Sequence, residues 1–144
     1  TPEKGYVVIA REWVSGDVVE LTLAMPVERV LPHPNVRQAA GQVALQRGPL
    51  VYCLEGVDNG ERLANVVIPE SSDLTAHLEA DLFKGVVVIT GEALRIEPQR
   101  EDESLYRHRS QEGLSEESFT FKAIPYYLWA NREPGEMRVW VRSS

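Results

Sequence analysis

The chain has 144 residues and a formal net charge of −7, with 43% hydrophobic and 26% charged residues. This length and composition fit a single soluble globular domain with a core of its own, and no apolar run is long enough to cross a membrane. The excess of acidic residues, with arginines scattered among them, disfavours binding to a nucleic acid backbone.

The first segment predicts a β-hairpin. The sequence starts Thr1-Pro2, without a methionine or an apolar signal region, which indicates a processed or excised piece. Residues 6–13 (YVVIAREW) then alternate as expected of a strand. Ser15-Gly16-Asp17 is typical of a turn, because Gly supplies positive φ and Asp or Ser bonds to nearby amides. Residues 18–25 alternate again, with one face more polar, so a second strand is expected.

Three prolines then favour an extended connection. Pro26, Pro32 and Pro34 lack the amide hydrogen that a central strand ladder needs. The internal boundary is therefore predicted between residues 1–32 and residues 33–144.

Gly41–Glu55 (GQVALQRGPLVYCLE) carries the densest strand signal in the chain. Its first half alternates apolar and polar residues, as a half-buried strand does. Gly48-Pro49 interrupts it and suits a bend. In Leu50–Leu54 both sets of alternate residues are largely apolar. A strand of this kind is expected between two layers.

Further strands are predicted downstream. One stretch, Leu74–Leu82, is ambiguous, because period two accounts for five apolar positions while a helical stripe accounts for three, and we therefore predict a strand. The other predicted elements are a turn or loop at Val57–Glu61, strands at Ala64–Pro69, Val86–Thr90 and Ala93–Glu97, and a turn at Phe83-Lys84-Gly85.

The last third combines a polar tract with more strands. Pro98–Ser118 has mixed charges and few apolar residues, so we expect a long mobile loop. Alternation at Phe119 and Phe121 and over Met137–Val141 predicts two more strands. Nine or ten short strands without a clear helix indicate an all-β fold, an antiparallel β-sandwich or jelly roll.

The titratable residues show no pattern of a catalytic or metal site. His33, His77 and His108 lie far apart in the sequence and, with Cys53, have no recognised ligand spacing. Cys53 is predicted on a buried strand, where thiols are inert, and as a lone cysteine it excludes an internal disulfide. A single cysteine does not decide the redox compartment of the protein, and the cytoplasm is slightly favoured. Glu55 is expected to pair with an arginine.

Five aromatic residues allow two interpretations. Trp13, Trp129, Trp140 and the Tyr126-Tyr127 pair could form a platform on which sugar rings stack. Alternatively, they are ordinary core or interdomain content, which is the more common role of tryptophans in a domain of this size. Tyr126, Tyr127, Trp129 and Trp140 are therefore candidates for an interdomain or sugar contact.

Three sequence blocks together resemble one known family. They are GYVVIAREWVSGDVVELTLAMP (Gly5–Pro26), HPNVRQAAGQVALQRGPLVYCLEG (His33–Gly56) and FKAIPYYLWANREPGEMRVWV (Phe121–Val141). The RGPLVYC and PYYLWANR segments are the most specific. In this order the blocks resemble the C-terminal β-sandwich region of the β-L-arabinofuranosidase-like glycoside hydrolases, glycoside hydrolase family 127.

The resemblance implies a chain without the catalytic part of such an enzyme. Family members carry an (α/α) barrel with a zinc-bound cysteine nucleophile, followed by β-sandwich domains, and this barrel is absent from the sequence. No catalytic role transfers to Cys53 or Glu55, and zinc is expected only in the barrel. Residues 1–32 resemble the end of the preceding sandwich, and residues 33–144 resemble the C-terminal sandwich.

The resemblance implies a noncatalytic role in which the chain packs on and stabilises the catalytic barrel of the same polypeptide. A carbohydrate-binding module that uses exposed tryptophans and tyrosines is the alternative, and a free-standing interaction domain is a third possibility.

Overall fold

The computed structural model describes residues 4–98, Tyr106 and residues 114–144. Short helical segments in this part of the chain are α1 (Gly56–Asn59) and 3-10 turns at Arg37–Ala39, Leu63–Asn65 and Tyr126–Leu128. None of its helices is long and apolar enough to span a bilayer. The strands are β1 (Val27–Val30), β2 (Gln42–Arg47), β3 (Leu50–Glu55), β4 (Val66–Ile68), β5 (Thr75–Glu79), β6 (Val86–Pro98), β7 (Leu114–Pro125), β8 (Met137–Arg138) and β9 (Val141–Ser143).

The strands pair in a ring. Following the pairings leads from β2 to β9, β4, β6, β7 and β3, and β3 returns to β2 through the hairpin that joins them. Only the β4–β9 pair is parallel among the described strands. The ring is extended by β1 on β2, β5 on β6 and β8 on β3. The all-β prediction is confirmed, while the jelly-roll arrangement stays a prediction.

Each strand of the ring contributes side chains to one apolar core. The fully or almost fully buried members are Leu45, Tyr52, Leu54, Leu63, Val66, Ile68, Ile89, Ala93, Phe121, Ala123 and Val141. Burial of one large apolar side chain contributes about 1.5–3 kcal/mol. Burial of these side chains in one shared core therefore stabilises the pairing of every strand in the ring.

The prediction that β3 lies between two layers is confirmed. Tyr52 and Leu54 face the main core, whereas Cys53 faces a second cluster that includes Ile124. Two more side chains of this cluster come from β6, and Leu82, Phe83, Leu128, Met137 and Val139 pack against it. Only Val51, near the start of the strand, is exposed on the second face.

The predicted bend at Gly48-Pro49 is the tight connection between β2 and β3. Gly48 has φ of +55°, and a Cβ atom at this position would lie 2.8 Å from the Cε of Met25. The side-chain amide of Gln46 donates a 2.7 Å hydrogen bond from Nε2 to the backbone carbonyl of Gly48. Both the backbone angle and the close contact favour glycine here.

Several element boundaries differ from the sequence prediction. The ambiguous stretch is a strand, β5, as predicted. The turn or loop predicted at Val57–Glu61 includes the single helical turn α1 at Gly56–Asn59. The two strands predicted between Val86 and Glu97 are one continuous strand, β6. The final predicted strand is divided into β8 and β9.

The loop predicted at Pro98–Ser118 is also wrong in part. Residues 114–118 belong to β7, which pairs with β6 from Ile89↔Ala123 to Pro98↔Leu114. Residues 115–118 are exposed. Backbone hydrogen bonds, which need no apolar face, hold this end of the strand, and apolar alternation could not reveal it. Most of the predicted loop, at 99–105 and 107–113, lies outside the described residues.

The N-terminal hairpin prediction is wrong for this chain. Residues 7–26 form no strand, although the predicted turn is present: the amide of Asp17 donates to the carbonyl of Val14 (3.1 Å), and its carboxylate accepts from the amide of Val14 (2.9 Å). A two-stranded hairpin is marginal without a third strand. Residues 6–25, the N-terminal arm, instead expose Tyr6, Val7, Val8, Ile9, Trp13, Val14, Val18, Val19, Leu21 and Leu23.

We expect Leu54→Ala to lower the free energy of unfolding by about 2–5 kcal/mol, because the side chain is 1% exposed and its loss leaves a cavity in the main core. Leu78→Ala on β5 is the matched control, since Leu78 is 65% exposed and should change stability by less than about 0.5 kcal/mol. Urea unfolding measures both values. Equal effects of the two variants would contradict this placement of β3.

Candidate functional site

A buried polar residue, Asn59, connects α1 to two strands. Its side-chain amide donates to the carbonyls of Glu55 (3.0 Å) and Lys122 (2.8 Å), and its oxygen accepts from the amide of Lys122 (2.9 Å). Asn59 is 2% exposed, and these bonds satisfy the side chain where water cannot. They fix the end of β3 against β7.

Arg132 joins this polar region and neutralises two carboxylates. Its guanidinium donates to Glu55 Oε2 at 2.6 Å and to both oxygens of Asp58, one of them at 2.9 Å. The ring of Phe83 lies 5.8 Å from the guanidinium carbon. Hydrogen bonding to Asp58 raises the pKa of Arg132 above its usual value, against the opposing effect of burial. The predicted pairing of Glu55 with an arginine is confirmed, and we call Glu55, Asp58, Asn59, Lys122 and Arg132 the Arg132 cluster.

The cluster holds the segment that follows the last 3-10 turn. Glu55 Oε1 accepts a 3.0 Å hydrogen bond from the amide of Ala130. Farther along, Glu136 accepts from the amide of Leu63 through its carboxylate and from the amide of Gly56 through its carbonyl, both at 2.8 Å. Residues 129–136 are thus attached to the body of the domain by polar contacts from both their backbone and side chains.

A groove opens beside this segment, and two of the predicted aromatic candidates line it. We call it the aromatic groove; it has a volume of about 780 Å³ and is lined by Gln38, Gln42, Ala64, Tyr126, Glu136, Met137, Arg138, Val139 and Trp140. Trp129 stacks on Tyr126, with ring centroids 6.0 Å apart and planes at 17°. The structure therefore brings Tyr126, Trp129 and Trp140 to one region.

Two other aromatic candidates lie elsewhere. Tyr127 is 64% exposed and is not among the residues that line the groove. Trp13 lies on the N-terminal arm, where Arg11 stacks over its ring at 5.0 Å. A platform that uses all five aromatic side chains is therefore not formed in the described part of the chain.

The thiol and the histidines do not converge. Cys53 is fully buried, and burial, together with the neighbouring charge of Glu55, raises the pKa of its thiol to about 12. His77 lies 3.7 Å from Glu79 on β5, and His33 accepts a hydrogen bond from the amide of Asn35. The third histidine, His108, is outside the described residues. Over residues 4–98, 106 and 114–144, no three His, Cys, Asp or Glu side chains are grouped as metal ligands, so these residues do not fit zinc.

The all-β fold is shared with solved glycoside hydrolases, and it defines the chain as a β domain of the kind found in these enzymes. The sequence model of the glycoside hydrolase family 127 C-terminal domain matches residues 27–142. The chain belongs to this family, and the resemblance inferred from the three sequence blocks is confirmed.

Individual relatives support the assignment. A non-reducing end β-L-arabinofuranosidase of Bifidobacterium longum subsp. longum is 41% identical over 133 residues, which cover 89% of this chain and 20% of the relative. The structure of a family 127 β-L-arabinofuranosidase from Geobacillus stearothermophilus T6 aligns with a TM-score of 0.77 at 54% identity, covering 83% of this chain and 18% of that one.

A second solved family 127 β-arabinofuranosidase aligns with a TM-score of 0.81 at 31% identity, covering 94% of this chain and 20% of that one. The chain thus spans about a fifth of the length of these relatives.

We expect Arg132→Met to lower the free energy of unfolding by about 3 kcal/mol or more, because Glu55, which is 4% exposed, would lose its counter-charge. Arg62→Ala is the control, since its 3.2 Å pair with Glu97 is on the surface and should contribute less than about 1 kcal/mol.

Thermal and urea unfolding measure the effect of Arg132→Met. The double variant Glu55→Gln/Arg132→Met should recover part of the loss, because it removes the uncompensated charge. If the loss of stability in the double variant equals the sum of the losses in Glu55→Gln and in Arg132→Met, the two residues are not coupled.

Proposed function

We propose that the chain is the noncatalytic C-terminal part of a β-L-arabinofuranosidase-like glycoside hydrolase, where it packs on and stabilises the catalytic barrel of the same polypeptide. Membership in the family 127 C-terminal domains carries this proposal. The curated relative is named for that activity, and the chain matches only 20% of its length. We place the catalytic groups in the part of the polypeptide that corresponds to the remaining four fifths of that relative.

The exposed N-terminal arm supports packing on another part of the polypeptide. It precedes residues 27–142, which the family match covers, and it exposes a run of large apolar side chains. Large apolar side chains exposed in such number favour an interaction site. Its alternating pattern suits addition to an existing sheet, as extended segments do when they complete an open edge. We propose that the N-terminal arm completes a preceding β-sandwich and that the C-terminal domain begins at β1 (Val27–Val30), which pairs with β2.

The chemistry of the described residues supports a noncatalytic role. The thiol of Cys53 is buried and stays protonated at neutral pH, because its pKa is raised to about 12. The carboxylate of Glu55 accepts hydrogen bonds from Arg132 and Ala130. Neither group resembles a nucleophile or an acid with access to a substrate. We propose that zinc, which the family resemblance implies, is held by the barrel and not by these residues.

We expect the purified 144-residue chain to release no detectable product from an aryl β-L-arabinofuranoside, with or without added zinc. Cys53→Ser should behave in the same way, and the Bifidobacterium relative provides the positive control. Zinc-dependent turnover that disappears in Cys53→Ser would overturn the noncatalytic proposal.

We expect the N-terminal arm to be protected from amide hydrogen exchange in a full-length enzyme that contains this chain and to exchange rapidly in the 144-residue chain. Leu21→Asp should lower the melting temperature of the full-length enzyme because it places a charge in the proposed contact, while the 144-residue chain should be unaffected since Leu21 is 76% exposed.

The matched control is Leu78→Asp on β5, where Leu78 is 65% exposed outside the arm. If the two aspartate variants destabilise the full-length enzyme equally, or if the arm exchanges equally fast in both proteins, the proposed contact through the arm is wrong.

A further inference from the structure

The aromatic groove is an open surface depression whose size and mixed chemistry suit a small molecule. Its volume of about 780 Å³ lies within the range of about 300–1,000 Å³ that is usual for ligand pockets. Apolar lining comes from Met137, Val139 and the aromatic rings, and polar lining comes from two glutamines, Glu136 and Arg138. The groove is open to solvent at Gln38 and at Tyr126, which is 45% exposed.

The groove is lined by one acidic side chain, one basic side chain and neutral polar side chains. Glu136, Arg138 and Trp140 follow one another at two-residue spacing along the segment that contains β8, and all three line the groove. The carboxylate accepts hydrogen bonds, the guanidinium and the indole donate them, and the amides of Gln38 and Gln42 can do both. The two formal charges cancel, so the lining offers many hydrogen bonds without a net charge.

Tyr126, which lines the groove, and Trp129 behind it are held in place before any ligand binds. Tyr126 is backed by Trp129, and the amide of Trp129 donates to the carbonyl of Tyr126 at 3.1 Å. Asn131 donates to the carbonyls of Leu128 (3.0 Å) and Trp129 (3.1 Å), and the Arg132 cluster fixes the next residues. Side chains that are already ordered lower the entropy cost of binding a ligand.

We infer that the aromatic groove binds a neutral saccharide, with Tyr126 stacking on the sugar ring and Gln38, Arg138 and Trp140 bonding to its hydroxyl groups. Each sugar hydroxyl both donates and accepts, which matches the mixed lining, and the C–H face of a sugar ring provides the apolar surface that an aromatic ring requires. The inference goes beyond the proposed packing role and does not depend on it.

Other ligand classes fit the groove less well. An anion would meet the carboxylate of Glu136 in a chain whose formal net charge is −7. An apolar helix or strand would bury Gln38, Gln42 and Arg138 without supplying enough partners for them, which is costly. A ligand that is neutral, rich in hydroxyls and partly apolar satisfies both parts of the lining.

The test is titration of the 15N-labelled chain with arabinotriose, a neutral pentose oligosaccharide, followed by NMR. We expect saturable shifts at Gln38, Arg138 and the indole of Trp140. Tyr126→Ala should raise the dissociation constant by about threefold to tenfold through the loss of stacking. Tyr127→Ala is the matched control and should change it by less than about twofold, because Tyr127 is exposed and does not line the groove.

Two further measurements complete the test. Gln38→Ala, which removes an exposed side chain with little risk to the fold, should weaken binding by about twofold to tenfold. Trigalacturonate, an acidic oligosaccharide, should bind at least about tenfold more weakly than arabinotriose, because of its charge. The absence of saturable shifts with arabinotriose, equal effects of the two tyrosine variants, or preferential binding of the acidic probe would overturn the inference. None of these readouts depends on whether the chain packs on a barrel.

Discussion

The ion pair between Arg132 and Glu55 is the contact on which one whole side of the domain depends. Glu55 ends the central strand β3 in a position that is 4% exposed, where an uncompensated carboxylate would be costly. Arg132 supplies the opposite charge at 2.6 Å, and the remaining oxygen of Glu55 binds the amide of Ala130. The same buried charge therefore selects both the position of the arginine and the path of the backbone that carries it.

This constraint links the two most specific sequence segments of the family. RGPLVYC forms the turn and the first part of β3, whereas PYYLWANR forms the end of β7, the 3-10 turn and the approach to Arg132. Because the pair brings their ends together, the aromatic residues of the second segment are held at a defined place beside β8. The pair thus helps to hold Tyr126 and Trp129 beside the groove.

The alternation of apolar residues in the sequence was sufficient to predict the core strands. Val43 and Leu45, and then Tyr52 and Leu54, alternate in the sequence as they do in the sheet, because a strand that buries one face must repeat every two residues. Cys53 was correctly expected to be buried for the same reason. The charge on Glu55 could be matched to an arginine in general terms, since a buried carboxylate needs a partner.

The partner of Glu55, the groove and the fate of the N-terminal arm depend on contacts between distant residues, which no local sequence pattern reveals. Arg132 lies 77 residues from Glu55, and nothing in its neighbourhood distinguishes it from the other arginines. The groove combines residues from both ends of the domain and has no sequence signature. Alternation in residues 6–25 predicted a hairpin that the structure does not form, because alternation alone does not specify a pairing partner.

Because β9 closes the ring of strands, the sheet can be completed only late in the synthesis of the domain. Val141 pairs with Val43, about 100 residues earlier, and β9 also pairs with β4. During synthesis the parts of β2 and β4 that pair with β9 therefore stay open until β9 has left the ribosome. Open strand edges attract other chains, so the interval before β9 emerges is the period of greatest aggregation risk, and chaperones would be most valuable then.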